Sequence, residues 1–173
     1  MNKVFLALGS NEGDKISNLK NVITNISENE NCSVKRISSV YASHPYGPVK
    51  QDDFLNMVVE IDTNFELKSL LSFTKNLEIK IGRKKSVKWG PREIDLDILL
   101  FNNIILKNEE ITIPHKDLIK RDFVLRPLIE TAPELIHPVY NKKIKEFINL
   151  DLNKYIFDVI PNSALNLLGE SVA

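Results

Sequence analysis

The order of hydrophobic patterns along the chain predicts an α+β domain with a ferredoxin-like βαββαβ core, an added hairpin and helices, and αβα layers. Two observations lead to this fold class. Short apolar or alternating runs and segments with helical spacing succeed one another as strand, helix, strand, strand, helix and strand. The 173 residues suit a single domain and contain no linker, internal repeat or low-complexity tract. We expect this domain to occupy residues 1–150, with residues 151–173 as a C-terminal extension of unknown role.

The first three elements follow from local patterns. Residues 4–8 form a short apolar run that ends at Gly9, which predicts a buried strand followed by a turn. Asp14 can cap a helix whose apolar residues recur at helical spacing. These apolar residues are Ile16, Leu19, Val22, Ile23 and Ile26. Residues 34–41 are rich in β-branched side chains and predict a second strand.

The middle of the chain predicts a loop, a strand, a helix and a second loop. Residues 42–53 contain prolines and a glycine, which indicates an irregular loop. Residues 54–62 predict the third strand, and residues 65–81 carry leucines and isoleucines at helical spacing up to a terminating Gly82. Residues 83–92 are predicted to be a basic loop.

The remaining segments complete the core and add to it. Residues 94–101 alternate between polar and apolar at their start and predict the fourth strand. Residues 104–106 and 111–113 predict a small hairpin. Residues 123–130 and 144–148 predict two further helices, the second of them short.

Composition limits the expected partners and location. The chain has 23 basic and 23 acidic residues, so no bulk field attracts nucleic acid or a membrane. No apolar stretch has the length of a signal-peptide core or a membrane helix. The single Cys32 cannot form an internal disulfide. We expect a cytoplasmic protein that binds neither nucleic acid nor membranes, and we expect it to be a monomer.

Two aspartates in the predicted fourth strand are the strongest candidates for chemistry. Because side chains alternate along a strand, Asp95 and Asp97 are expected to face the same side, opposite Leu96. Neighbouring carboxylates repel each other, and Mg²⁺, which binds oxygen ligands, would relieve the repulsion. A solvated strand face is the alternative, and the D-x-D pattern alone does not decide between them.

A basic loop leads directly into these aspartates. Its cations are Arg83, Lys84, Lys85, Lys88 and Arg92. Guanidinium groups bind phosphate oxygens in bidentate fashion and lysines act as point charges, so the loop and a metal ion could hold a polyphosphate. A solvated surface loop is the alternative. Trp89 is the only tryptophan, and its charged neighbours favour a stacking role over burial in the main core.

Two further clusters allow a phosphate contact and a heterocycle site. The first comprises His115, Lys116 and Arg121, for which solvated surface residues are the alternative. The second comprises the irregular segment 43–48 and the following Phe54 and Asn56. Phe54 and Asn56 share a strand face, so a ring and an amide could together hold a flat heterocycle. Core packing is the alternative for Phe54.

The string Trp89-Gly90-Pro91-Arg92, followed by Asp95-Leu96-Asp97-Ile98, resembles the 6-hydroxymethyl-7,8-dihydropterin pyrophosphokinase family of folate biosynthesis. Shorter matches occur in the family's order from about residue 3 to residue 150. They are Ala7-Leu8-Gly9-Ser10-Asn11, Tyr46-Gly47-Pro48, Phe54-Leu55-Asn56, Glu78, Gly82-Arg83, Pro114-His115 and Arg121-Asp122-Phe123. Residues 1–150 are accordingly expected to be a pyrophosphokinase domain.

The resemblance implies a reaction and a set of site residues. ATP would donate its β,γ-pyrophosphoryl group to the hydroxymethyl oxygen of 6-hydroxymethyl-7,8-dihydropterin and leave as AMP. Asp95 and Asp97 would bind two Mg²⁺ ions and would be catalytic together with Arg83 and Arg92. The implied ATP-binding residues are Glu78, Lys85, Trp89, Arg92, Ile98, His115, Lys116 and Arg121. The implied pterin-binding residues are Ser43, His44, Tyr46, Phe54, Asn56, Trp89 and Phe123.

The sequence departs from the family pattern in its basic loop. Lys84, Lys85 and Lys88 stand where the family usually has arginines, and lysine lacks the bidentate fork. Two other functions are compatible with parts of the pattern. One is a non-catalytic ferredoxin-like module that binds RNA through the basic loop, which the neutral net charge disfavours. The other is a metal-dependent phosphohydrolase that uses the same aspartate pair.

Overall fold

The computed structural model describes residues 1–149, 152 and 154–166. The strands are β1 (Asn2–Ser10), β2 (Cys32–Ile37), β3 (Val40–Ser43), β4 (Phe54–Thr63), β5 (Asp95–Phe101), β6 (Leu106–Lys107), β7 (Thr112–Ile113), β8 (Ile136–His137), β9 (Lys142–Lys143) and β10 (Ile156–Ile160). The helices are α1 (Lys15–Glu28), α2 (Leu67–Ile81), α3 (Asp122–Thr131) and α4 (Asn162–Leu165), with a 3₁₀ helix at Ile144–Phe147. Within the described residues, no helix has the length and apolar character needed to cross a membrane.

The main sheet confirms the predicted ferredoxin-like α+β core. Its strand order is β10-β3-β4-β1-β5, and β2 also pairs with β4. All of these pairings are antiparallel. Because β2 pairs with the far half of β4 and β3 with its near half, the two together occupy the position of one strand. The result is the βαββαβ order with β10 added at an edge.

Alternation along β1 explains the αβα layers. Val4, Leu6 and Leu8 point into an apolar cluster that includes the inner faces of α1 and α2. Phe5 points to the opposite side, where it packs with residues of α3 such as Leu125. The sheet therefore has helices on both faces, and its two apolar clusters form the core.

The ends of α1 and α2 agree with the predicted signals. The Asp14 side chain accepts a hydrogen bond from the Ser17 backbone N–H at 3.0 Å, which satisfies a free donor in the first turn of α1. Gly82 ends α2 with φ at 118°, a left-handed conformation that glycine adopts without steric cost. This turn directs the chain into the basic loop.

The prediction of one continuous strand over residues 34–41 was wrong. The chain breaks at Ser38 and Ser39, because the Ser38 hydroxyl accepts a hydrogen bond from the Val58 N–H. Ser39 donates through both its N–H and its hydroxyl to Glu130 on α3, at 2.9 and 2.8 Å. The predicted loop over residues 42–53 also began too early, since β3 continues to Ser43.

Candidate active site

A cleft of about 360 Å³ lies where β1, β4 and β5 meet the basic loop and the start of α3. Most of the residues that the sequence predicts for a site line it. They are Ser43, His44, Tyr46, Phe54, Asn56, Arg83, Trp89, Arg92, Asp95, Asp97, His115, Lys116, Arg121 and Phe123. Ile98 instead lines an adjoining cavity of about 240 Å³, and Glu78 and Lys85 line another beneath the basic loop. Segments distant in sequence therefore converge on one region.

The two aspartates of β5 face the cleft together, as their spacing predicts. Asp95 and Asp97 are partly accessible, whereas Leu96 and Ile98 on the other face are buried. Asp95 is held by two arginines of the basic loop. Its Oδ1 lies 3.0 Å from Arg83 Nη1, and its Oδ2 lies 2.7 Å from Arg92 Nη1. Carboxylates and guanidinium groups thus share one wall of the cleft.

Glu78 organises this wall from behind. Its side chain is buried, and its Oε1 accepts a hydrogen bond from the Leu96 N–H at 2.8 Å. Its Oε2 lies 2.7 Å from Arg83 Nη1, and Lys75 Nζ lies 3.6 Å from Oε1. Because one carboxylate holds both the β5 backbone and Arg83, Glu78 fixes the guanidinium in position relative to Asp95.

The electrostatic environment raises the pKa of Asp97 above its usual value. Desolvation by the cleft walls is the largest cause, and the negative charge of Asp95 adds to it. His115 responds in the opposite direction, because burial lowers the pKa of its imidazole. Its Nδ1 accepts a hydrogen bond from the Asp117 N–H at 3.2 Å, so the neutral ring carries its proton on Nε2. That nitrogen lies 4.0 Å from Asp97 Oδ2 and can donate to an anion in the cleft.

The donor set suits a magnesium ion that is bound together with a polyphosphate. Within the described residues there is no group of three or more His, Cys, Asp or Glu side chains placed to hold a metal ion. The cleft supplies the carboxylates of Asp95 and Asp97, and the Asp97 side chain is 39% exposed. Mg²⁺ usually takes one or two carboxylates, several waters and substrate phosphate oxygens. Two carboxylates beside cationic side chains therefore fit this ion.

The other side of the cleft has the composition of a heterocycle pocket. Phe54 and Asn56 project from the same face of β4, and Phe123 enters from the first turn of α3. The Asn56 amide donates to the Tyr41 carbonyl at 3.1 Å and to the Ser43 hydroxyl at 2.8 Å. These bonds fix the orientation of the amide, so its hydrogen-bonding edge is set before a ligand binds.

Small residues of β1 form the floor between the two sides of the cleft, which sequence reasoning did not predict. Gly9 pairs with Asn56 on one neighbouring strand and with Asp95 on the other. A Cβ at Gly9 would lie 3.5 Å from Asn56 Oδ1 and 3.8 Å from Phe54 Cδ1. A methyl group there would occupy cleft space without clashing with the protein.

Gly9→Ala is therefore expected to weaken binding in the heterocycle pocket while the fold is preserved. An added methyl group at the floor should raise the KM of the flat substrate about tenfold, the usual order for one methylene in a tight pocket. The KM of the polyphosphate substrate and the melting temperature should stay close to those of the unmodified protein. Steady-state kinetics with each substrate varied in turn checks this, and equal changes in both KM values would contradict it.

The basic loop is anchored at its exit. The Arg92 N–H donates to the Asn11 side chain at 2.8 Å, and its carbonyl accepts from the Asn11 N–H at 3.1 Å. Gln51 donates to the Trp89 carbonyl at 2.5 Å. Trp89 is half-buried with φ at 66°, and its ring packs against Gly47 and tilts toward Tyr46. Trp89 is therefore outside the main core, as its charged neighbours predict, and lines the cleft.

Gly90 is required by the tight turn that precedes Arg92. It is buried, and a Cβ there would lie 2.8 Å from the Val87 carbonyl oxygen and 2.3 Å from the Ser86 hydroxyl. Gly90→Ala should open this turn and displace Trp89 and Arg92, reducing kcat/KM by up to about a hundredfold, as misplacement by an ångström can do. Val87→Ala, in the same turn at an exposed position, is the matched control. Unchanged kinetics for Gly90→Ala would show that the turn does not position the site.

Arg121 has partners that the sequence did not indicate. Its guanidinium lies 2.9 Å from Asp117 and 4.6 Å above the centre of the Tyr46 ring. The missed cleft residues are Ala7, Leu8, Gly9, Gln51, Lys75, Leu99, Asp117 and Val124. Asp117 and Arg121 are four residues apart in sequence, which is a usable signal for this ion pair even though both precede α3. For the others, only the folded structure brings the residues to the cleft.

A ferredoxin-like domain with paired carboxylates, arginines and an aromatic pocket in one cleft defines an enzyme that transfers phosphate-containing groups. A family model described as 7,8-dihydro-6-hydroxymethylpterin-pyrophosphokinase (HPPK) matches residues 5–133. The chain belongs to this family, and it is a diphosphotransferase. This enzyme class excludes a non-catalytic module.

Curated relatives agree along most of their length. The chain is 43% identical over 147 residues to the 2-amino-4-hydroxy-6-hydroxymethyldihydropteridine pyrophosphokinase of Aquifex aeolicus (strain VF5), covering 85% of this chain and 91% of that protein. It is 40% identical over 134 residues to the enzyme of the same name from Bacillus subtilis (strain 168), covering 78% and 80%.

Solved structures agree in fold. The wild-type HPPK-DHPS of Plasmodium falciparum has a TM-score of 0.64 at 18% identity, covering 84% of this chain. Another HPPK-DHPS, described as a complex with substrates, has a TM-score of 0.66 at 14% identity. This chain spans 44% and 42% of those two chains, and at such identities the likeness concerns the fold alone.

Proposed function

We propose that this enzyme transfers the β,γ-pyrophosphoryl group of ATP to the hydroxymethyl oxygen of 6-hydroxymethyl-7,8-dihydropterin in folate biosynthesis. The reaction depends on Mg²⁺ and releases AMP. The observation that carries the proposal is the convergence in one cleft of Asp95 and Asp97, two arginines and an aromatic pocket with an oriented amide. The names of the curated relatives support the acceptor and the transferred group.

The residues divide into two sets that match the two substrates. Arg83, Arg92, His115, Lys116 and Arg121 would bind the triphosphate, with Glu78, Lys85, Trp89 and Ile98 at the periphery of the nucleotide. Ser43, His44, Tyr46, Phe54, Asn56, Trp89 and Phe123 would bind the pterin. Gly9 lies on the floor of the cleft between Asn56 and Asp95, one from each set. Because Gly9 has no side chain, the acceptor oxygen of the pterin and the phosphates can approach each other above it.

In the reaction, the hydroxymethyl oxygen attacks the β-phosphorus of ATP, and the hydroxyl proton passes to a cleft carboxylate or to water. The bond from that phosphorus to the oxygen bridging to the α-phosphate breaks, and AMP leaves with that oxygen. Asp95 and Asp97 would hold two Mg²⁺ ions, which supply charge neutralisation and orientation at the transferring group. Arg92 and Arg83 stabilise the charge on the phosphate oxygens, and the pterin pocket holds the alcohol in line.

AMP formation tests the proposal directly. The purified protein is incubated with ATP, Mg²⁺ and the dihydropterin alcohol, and AMP, ADP and free phosphate are quantified separately. We expect AMP that depends on both the acceptor and Mg²⁺, and no AMP after chelation with excess EDTA. Phosphate release without the pterin would instead identify a phosphohydrolase, and AMP at background level with all components present would reject the proposed function.

A further inference from the structure

The strand β10 lies outside the residues that match the family model, yet it reaches the pterin side of the cleft. It is preceded by Tyr155, whose N–H donates to Asp122 Oδ2 at 2.7 Å. The Ile156 N–H donates to the same oxygen at 3.0 Å, and the Phe123 N–H donates to Oδ1 at 2.8 Å. Asp122 is buried, so one carboxylate at the start of α3 fixes both Phe123 and the entry into β10.

From this anchor, β10 holds the backbone of the loop that lines the pocket. The His44 N–H donates to the Tyr155 carbonyl at 3.0 Å, and Ile156 pairs with Ser43 in the antiparallel ladder. Both Ser43 and His44 line the cleft. The position of their backbone therefore depends on a segment about a hundred residues further along the chain.

Aromatic contacts extend this support to the side chains. The Tyr155 ring meets Tyr46 edge-on at 5.5 Å and Phe123 edge-on at 5.9 Å. Phe157 stacks on His44 at 4.6 Å. Tyr155 is half-buried and does not itself line the cleft, whereas Tyr46, Phe123 and His44 do. Tyr155 thus contacts two of the rings that form the pocket, on the side of those rings that faces away from the cleft.

We propose that Tyr155 and β10 position the pterin pocket, so that this C-terminal segment sets the affinity of the enzyme for its flat acceptor substrate. Tyr155 is a positioning residue, since it acts through Tyr46, Phe123 and the His44 backbone. The inference rests on the proposed function, because it assumes that this pocket binds the pterin.

The sheet order separates this role from general stabilisation. β10 and β5 lie at opposite edges of the main sheet, and β5 carries Asp95 and Asp97. A change confined to the Tyr155 ring should therefore affect the pterin half of the cleft much more than the phosphate half, which it reaches only through the Tyr46 contact with Arg121. If Tyr155 had a purely structural role, its loss would weaken the binding of both substrates equally, or it would lower the melting temperature without a selective effect on either substrate.

The experiment compares Tyr155→Ala, Tyr155→Phe and Val159→Ala in the full chain. Tyr155→Ala removes both edge-to-face contacts, whereas Tyr155→Phe keeps the ring. Val159→Ala trims an exposed side chain of the same strand and controls for weakening of β10. Isothermal titration calorimetry gives the Kd of the pterin and of a non-hydrolysable ATP analogue with Mg²⁺, and steady-state kinetics gives the two KM values.

We expect Tyr155→Ala to raise the Kd and KM of the pterin about tenfold, since each edge-to-face pair is worth up to about tenfold in an equilibrium constant. The ATP values should stay within about twofold, and Tyr155→Phe and Val159→Ala should resemble the unmodified enzyme. Unchanged pterin affinity in Tyr155→Ala, or equal losses for both substrates, would overturn the inference while the proposed function stands. An unmodified enzyme that binds no pterin would overturn both.

Discussion

Asp97→Asn is expected to lower kcat for AMP formation on the order of a thousandfold, because loss of one of the two carboxylates proposed to hold Mg²⁺ would remove several kcal/mol of transition-state stabilisation. The amide is nearly isosteric with the carboxylate, so pterin binding should be retained. The substitution also removes a charge that Asp95 repels and that the cleft walls desolvate, as the raised pKa of Asp97 indicates. The free energy of unfolding without ligands should therefore be equal or higher.

Two measurements separate this effect from damage to the fold. Steady-state AMP formation gives the loss of turnover, and thermal melting with and without Mg²⁺ and an ATP analogue gives stability and ligand stabilisation. Asp62→Asn on β4, which removes a carboxylate paired with Lys35, is the matched control and should keep full activity. Turnover of Asp97→Asn within tenfold of the unmodified enzyme would mean that the aspartate pair does not hold the metal.

The fold was predictable from the sequence wherever local patterns decide it. The apolar run of β1, the alternation at the start of β5 and the helical spacing in α1 and α2 are visible within windows of about ten residues. Asp14 and Gly82 mark helix ends through bonds and dihedral angles that depend on their own neighbourhood. These features survive folding because tertiary contacts reinforce them.

Features set by distant partners were not predictable. The break at Ser38 and Ser39 depends on Val58 and on Glu130, which is 91 residues away from Ser39. The strand β10 depends on β3 and on Asp122, so its own sequence did not identify it as part of the sheet. No local window contains these pairs, and only the folded chain brings them together.

The candidate site shows the same division. The common face of Asp95 and Asp97 follows from the two-residue period of a strand, and Arg92 is three residues away in sequence. The link from Glu78 to Leu96 and Arg83 requires α2 to pack against β5, which the pattern of residues does not specify. Gly9 at the floor depends on the register of three strands. The phosphate side was thus easier to predict than the elements that hold it.

The second large effect is expected at Arg92, where two substitutions separate charge from geometry. Arg92 Nη1 lies 2.7 Å from Asp95 Oδ2, and the side chain is 26% exposed at the cleft. Arg92→Ala removes a cation that we propose stabilises the developing phosphate charge, and it should lower kcat/KM for ATP about a hundredfold to a thousandfold. Arg92→Lys keeps the charge but loses the planar fork, so it should recover only part of that loss.

The comparison decides how this enzyme tolerates lysines in its basic loop. If the planar guanidinium group of Arg92 is required for bidentate contacts, kcat/KM for ATP in Arg92→Lys should remain at least about tenfold below that of the unmodified enzyme, and the pterin KM should be unchanged. Arg126→Ala, at an exposed position on α3, controls for loss of a surface cation and should have no effect. Full activity of Arg92→Lys would contradict a bidentate contact between Arg92 and phosphate. It would mean that a point charge is enough for phosphate binding at this position, and the same would then hold for Lys84, Lys85 and Lys88. Kinetics at several salt concentrations strengthens the test, since a point charge is screened more readily than a directional hydrogen-bonded pair.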